Sequence, residues 1–258
     1  MKIGFQPFIE FSGYIDAFEF AEKEGFDAVE FHMDLPQFSY QEVEWKDVAD
    51  VISSYDISVL LHASTASTNI LSPNRFIREA SLKDLEKTCE FSQKIGGDLV
   101  TFHLGWSPMF YVDGALISLE KRFEAFNYKI ITEELKKMVD QENSLSMENT
   151  IDLGGMVLKG VKELIETTDI KVTFDMGHAN INPTHNFLYK RYLKKIRNVH
   201  LHDNDGEKDE HLPLGKGTVK TSNFPFEDYT GYVIFETRPA VNCVKSKKMF
   251  ISELGSRV

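Results

Sequence analysis

Two cysteines in 258 residues leave no material for a covalent framework. Cys89 and Cys243 are far apart and form no C-x-x-C pair, so neither a disulfide scaffold nor a thiolate zinc site is encoded, and the usage fits a reducing cytoplasm. Long hydrophobic runs are also missing. No stretch approaches the ~18 apolar residues of a membrane span, and the start, MKIGFQPFIEF, turns polar too soon for a signal peptide. Positive charge is scarce, with 29 Lys plus Arg against 40 Asp plus Glu and a formal charge of −11. That balance repels a polyanion at long range and disfavours long duplex nucleic acid as a partner. No G-x-G-x-x-G or P-loop sequence follows any apolar run, which argues against a nucleotide fold. Linker composition and low complexity are absent too, so residues 1–258 read as one cytoplasmic domain with no membrane partner.

What is present is a repeated strand-helix unit. Ile3–Phe8 is short and apolar, and Tyr14, Ala17, Phe18 and Ala21 follow at the spacing of one buried helix face, stopped by Gly25. In the second strand, Asp27–His32, Val29 and Phe31 alternate with Glu30 and His32, so one side is apolar and the other polar. Strands are then expected at Ile57–His62, Asp98–His103, Ser144–Glu148, Ile170–Asp175, Arg197–His202 and Tyr232–Glu236, separated by helical patterns. These include Arg78–Ile95, the stripe Leu119, Phe123, Phe126 and Ile130, and the stripe Val157, Val161 and Leu164. Eight such alternations favour a closed (β/α)₈ barrel of the TIM type, which takes ~250 residues. Long loops are expected at Asn69–Phe76 and Gly105–Gly114, on the face where barrel enzymes carry their chemistry.

His62, His103, Glu148, Asp175, His200 and Glu236 stand at or near the ends of strands three to eight. A lone strand-end His is more often a hydrogen-bonded structural group. Six consecutive strands ending this way converge on one centre, because a barrel brings those ends together. Asp175-x-x-His178 and Asp209-x-His211 raise the set to nine donors, imidazole nitrogens and carboxylate oxygens that suit a divalent ion and are too many for one. His32 points to the same mouth and is a candidate substrate contact, with a hydrogen bond to one of the ligands the more ordinary role. His202, Asp203, Asp205 and Glu207 are read more blandly, the first as orienting a ligand and the acids as loop solvation. Trp45 is assigned to helix packing and His185 to structure, while Trp106 and Tyr111 on a mouth loop are candidate sugar-stacking groups.

The motifs carrying these residues resemble those of the xylose isomerase-like TIM barrel superfamily. They are His62-Ala-Ser, Asn69-Ile-Leu-Ser-Pro73, Phe102-His103-Leu-Gly105, Met147-Glu148-Asn149, Phe174-Asp175-Met-Gly-His178, His200-Leu-His-Asp203, Asp209-Glu-His211 with Gly215-x-Gly217, and Phe235-Glu236-Thr237. That group includes endonuclease IV, which repairs abasic DNA, and many sugar and sugar-phosphate isomerases and epimerases. The endonuclease IV pattern implies three zinc ions, with Glu148 bridging two, His62 and His103 serving one, and Asp175, His178, His200, Asp209, His211 and Glu236 the others. Its aromatic wedge after the first His is replaced here by Thr65-Ala66, and its basic loop after strand two by Asp34–Tyr40. The epimerase pattern implies one ion on Glu148, Asp175, His200 and Glu236. Its second Glu is replaced by Gly154, and its Arg is missing from Asp203–Lys208.

Two chemistries follow. In the first, two or three zinc-type ions promote hydrolysis of a phosphoester, with Lys216 and Arg238 holding the rest of a small phosphorylated substrate. In the second, one Mn²⁺, Mg²⁺ or similar ion polarises a sugar while Glu148 and Glu236 act as the catalytic acid and base. A barrel that binds without turnover is the third and least favoured reading.

Overall fold

The computed structural model describes residues 1–106, 108–118, 120–150 and 154–255. Strands β1 (Lys2–Phe5), β2 (Ala28–His32), β3 (Ser58–His62) and β4 (Leu99–Phe102) precede an antiparallel hairpin, β5 (Met109–Val112) and β6 (Ala115–Ser118). Then come β7 (Leu145–Glu148), β8 (Lys171–Asp175), β9 (Ile196–Leu201) and β10 (Tyr232–Phe235). The eight strands other than the hairpin close into a parallel barrel, in the order β1-β10-β9-β8-β7-β4-β3-β2. Around it lie α1 (Tyr14–Glu24), α2 (Trp45–Ile52) and α3 (Arg75–Ile95). After the hairpin, α4 (Glu120–Lys129) runs through a π-helical turn at Ile130–Leu135 into α5 (Lys136–Val139). The remainder are α6 (Gly155–Thr167), the short α7 (Met176–Ile181) and α8 (Phe187–Tyr192), and α9 (Ala240–Gly255). Among the described residues no helix is long and apolar enough to cross a membrane.

The expected elements lie where the periodicities put them, with shifted ends. Tyr14, Ala17, Phe18 and Ala21 are the buried face of α1, and Gly25 caps it in the left-handed conformation. Val157, Val161 and Leu164 are buried on α6. Leu119, expected on the stripe with Phe123, lies outside the described residues. β1 stops at Phe5, not Phe8. Gln6 makes the last ladder bond, to the Phe235 carbonyl at 3.1 Å, and Pro7 has no N–H with which to continue. The stretch expected as a loop at Gly105–Gly114 instead leads into the hairpin. Asp113 (φ 47°) and Gly114 (φ 78°) both adopt positive φ, the type I′ geometry that an Asp-Gly pair between apolar residues encodes.

Outward-facing strand residues pack against the helices, where Phe5, Phe18, Phe31, Phe38, Phe102, Phe174 and Phe235 are fully buried. Each contributes about 1.5–3 kcal/mol of burial. The inward-facing residues, two apart along each strand, form layers. The bottom layer is apolar, with Ala28, Leu60, Leu99 and Ile234 in contact. Gly4 fits beside it because a Cβ there would lie 2.5 Å from the Ala28 carbonyl. The middle layer is polar: Thr101, Ser146 and Thr173 share hydroxyl contacts of 2.7–3.0 Å, and Asn198 reaches Thr101 and Glu30. The next residues up each strand form the rim at the C-terminal end.

Candidate metal centre

That rim collects all nine donors. Glu148 lies at its middle, 1% exposed. Its Oε2 is 3.1 Å from His62 Nε2, 3.0 Å from His103 Nε2 and 3.2 Å from His200 Nδ1. Glu236 Oε1 is 3.3 Å from the same His200 nitrogen, and Asp175 Oδ2 is 4.0 Å from it. Beyond them, Asp209 Oδ2 sits 3.3 Å from both His178 Nε2 and His211 Nε2. Ligand-type atoms of His62, His103 and Glu148 all lie within 4.8 Å of one another, as do those of Glu148, Asp175 and His200.

The far side of each ring decides what these contacts mean. His62 Nδ1 donates to the Ala63 carbonyl (2.9 Å), His178 Nδ1 to the Asn149 carbonyl (2.7 Å) and His211 Nδ1 to the Glu236 carbonyl (2.7 Å). His200 Nε2 donates to Glu30 Oε2 at 2.7 Å. A carbonyl or carboxylate only accepts, so each ring's single proton in its neutral form is committed there. The opposite nitrogen then presents a lone pair to a carboxylate oxygen, and two lone pairs at 3.1–3.3 Å repel unless a cation lies between. His200 Nδ1 and Asp175 Oδ2 are buried with no hydrogen-bond partner. The donor set therefore fits divalent ions, which would be held by His62, His103 and Glu148; by Glu148, Asp175, His200 and Glu236; and by His178, Asp209 and His211.

Without a metal, protons take that place. Burial alone would lower the His62 pKa, but the bond and charge of Glu148 overcome it and carry the ring to about 9. His178 and His200 are likewise held well above the ordinary imidazole value, against burial, by the acids around them. Burial works against the charge of Glu148, yet His103 and His200 draw its pKa well below the carboxylate range, and Asp175 falls to about 2 beside His178 and His202.

Glu30 joins the site although no motif marks it. It is visible in the sequence only as the polar half of an alternating strand. It is fully buried on β2, and burying a carboxylate without a partner costs several kcal/mol. Its pairing with His200 offsets that cost and fixes the ring so that Nδ1 faces Glu148. Glu30→Ala is expected to weaken zinc binding by ~10–100-fold, with Glu30→Gln intermediate. Competition titration against a chromophoric chelator measures it, and wild-type affinity in the alanine variant would show that the pair orients nothing.

His202 is a member of the cluster as well as a neighbour of His200: its Nε2 is 3.2 Å from Asp175 Oδ2, and its ring stacks on His211 at 4.1 Å. Asp203 is fully buried and does not solvate the loop. Its carboxylate accepts from the backbone N–H groups of Gly215, Gly217 and Val219, and its backbone pairs with Leu212. The Asp209–His211 loop is thereby closed at its base. Gly217 permits the closure because a Cβ would lie 2.1 Å from the Asn204 carbonyl. His211 adopts φ 50°, a left-handed conformation that costs a non-glycine residue ~1–2 kcal/mol.

A cavity of about 310 Å³ opens over the donors, rimmed by Gln6, Phe8, His32, Thr65 and Arg238. His32 stacks on His62 at 4.6 Å, and burial together with the charges of His62 and His103 keeps it neutral. Arg238 lies 4.2 Å over the Phe8 ring and donates to Gln6 Oε1, while Gln6 Nε2 donates to Glu236. Lys216, expected at the substrate, is exposed and outside this rim, because its flanking glycines turn toward Asp203. Trp106 is also outside the rim and 47% exposed, and Trp45, expected to pack, is 37% exposed at the start of α2.

A closed (β/α)₈ barrel with this many His and carboxylate donors at its strand ends defines the class, a barrel built around a candidate metal centre. The chain belongs to the xylose isomerase-like TIM barrel family, whose model matches residues 18–252. It is 34% identical over 178 residues to an uncharacterized protein of Methanocaldococcus jannaschii, covering 68% of this chain and 67% of that one. With a probable endonuclease 4 of Aquifex aeolicus it shares 25% identity over 240 residues, 81% of this chain and 80% of that one. Among solved structures, a D-tagatose 3-epimerase-like protein aligns with TM-score 0.80 at 21% identity, over 99% of this chain and 97% of that chain. The IolI protein with a bound zinc atom aligns with TM-score 0.73 at 18% identity, over 98% and 97%. A probable endonuclease thus stands among the sequence relatives, and the epimerase-like structure shares the fold.

Proposed function

We propose that this chain is a metal-dependent phosphoesterase with a centre of two or three zinc-type ions, acting on a small phosphorylated substrate. The observation that carries the reading is Asp209, whose one oxygen faces the free nitrogens of both His178 and His211. A one-ion sugar site has no use for that third group of donors. Clustered divalent ions supply an acidified water and stabilise the leaving oxygen. The protein's part is to hold the donors in register, through the carbonyl and Glu30 bonds on the far side of each ring, and to offer the Arg238 guanidinium at the rim for a phosphate. The size of the cavity suits a small molecule. Thr65 and Ala66, whose backbone N–H groups are tied to Asp34, supply no wedge for a duplex.

Epimerisation of a sugar is the second reading, favoured by one observation. Glu148 and Glu236 both approach His200 Nδ1, at 3.2 and 3.3 Å, so one ion held there would have two acids beside it able to move a proton. Metal analysis of chelator-free protein separates the two. The phosphoesterase reading expects more than one tightly held equivalent, turnover of small phosphodiesters, and loss of one equivalent with most activity in His211→Ala. A single equivalent that survives in His211→Ala, with turnover on a ketose panel, would replace the first reading with the second. An abasic-site oligonucleotide assayed alongside tests the DNA branch directly.

A further inference from the structure

The β5–β6 hairpin leaves the barrel just beyond His103, and among the described residues it gathers a run of exposed large apolar side chains. Trp106, Met109, Phe110, Tyr111, Val112, Leu116 and Ile117 are between 42% and 77% exposed. In the antiparallel register Phe110 faces Ile117 and Tyr111 faces Leu116, on opposite sides of the ribbon. Both sides are therefore uncovered, and among the described residues neither edge of the hairpin pairs with another strand. A two-stranded ribbon alone in water is marginally stable. Its base is nevertheless anchored. Asn69 Nδ2 donates to the Trp106 carbonyl, the Trp106 N–H donates to Asn69 Oδ1, and Gly105 at φ 95° lets the chains approach where a Cβ would lie 2.2 Å from that same oxygen. An arm held rigidly at its root and bare on both sides is shaped for a partner.

We infer that this arm is a homodimer interface, its occupant the hairpin of a second copy across a two-fold axis. Three features select a second copy. At these exposures the seven side chains offer roughly 600–700 Å² of apolar surface per chain over the two faces together, so a second copy that wraps the ribbon approaches the ~800 Å² each partner contributes to a standard stable interface. The surface is self-complementary: free strand edges and apolar faces on one copy meet the same on the other, as a two-fold contact requires. Residues 105–118 carry one charge, Asp113 at the turn, so a chain with a net charge of −11 has here a nearly neutral place where two copies can meet.

Sedimentation velocity and light scattering on the full-length protein test this. At tens of micromolar the wild type should run at twice the 29.6 kDa chain mass. The double variant Phe110→Asp/Ile117→Asp should run at the single mass with wild-type metal content and circular dichroism. Hydrogen exchange on the wild type gives a second measurement independent of any variant, with hairpin amides more protected at high than at low concentration. A wild type at the single mass, a folded variant that remains dimeric, or hairpin protection that does not change with concentration would each overturn the assignment. A partner other than a second copy would appear as the first of these.

Discussion

Glu148→Gln should strip the centre of metal and reduce turnover on the order of 10²–10³-fold, the scale of removing a principal electrostatic group from an active site. The substitution keeps the shape of the side chain and replaces one acceptor oxygen with a donor. In the wild type, a single Glu148 oxygen serves His62, His103 and His200. Two groups of donors therefore lose their shared anion, while Asp209 with His178 and His211 keeps its own. The variant should retain at most the outermost ion. Metal analysis after gel filtration measures it, and wild-type metal content with intact activity would remove Glu148 from the centre. Fold stability should hold, because β7 stays paired on both sides by β4 and β8.

Metal binding should release protons at neutral pH and tighten as pH rises. His62, His178, His200 and His211 have raised pKa values in the metal-free protein, against burial, because acids face them. An ion must displace those protons, so apparent affinity should climb by about tenfold per pH unit for each proton displaced. The His62 share of that climb should end above about 9, where this ring has already lost its proton. Calorimetry in buffers of different ionisation enthalpy counts the protons directly. A count of zero at pH 7 would mean the rings are neutral before metal arrives. The stability of the metal-free protein has the opposite slope on the alkaline side. A group whose pKa is raised by folding stabilises the fold fully below its unfolded value and loses that contribution as pH rises through the folded one. Asp175, lowered to about 2, stabilises above its unfolded value and loses that contribution as pH falls toward 2.

The barrel was legible because its strands alternate with period two and its helices with period near four, and because donors fall at successive strand ends. The same alternation explains what was missed. Glu30 and Asn198 face inward one layer below the rim, where a sequence shows only a polar residue in a strand. Nothing local says that β2 and β9, 168 residues apart, meet across the barrel. A short acid in a loop usually serves solvation, and the backbone N–H groups that hold Asp203 are 12 to 16 residues further on, beyond any local pattern. The hairpin did carry its own signal, the Asp113-Gly114 pair, set in a stretch whose Pro, Ser and aromatics suggested an irregular loop.

The Asp203 carboxylate ties the base of the loop bearing Asp209 and His211 shut with backbone N–H groups, so no candidate metal ligand is spent on closing it. Loop closure and metal choice should then be separable. A site assembled in advance accepts whichever divalent ion is supplied with the right ligand preferences, and raw affinity favours copper over zinc and zinc over manganese. Which ion the protein carries then depends on the pool of available metal at the time of loading, and the same chain produced under different metal supply should emerge as differently loaded, equally well-folded populations.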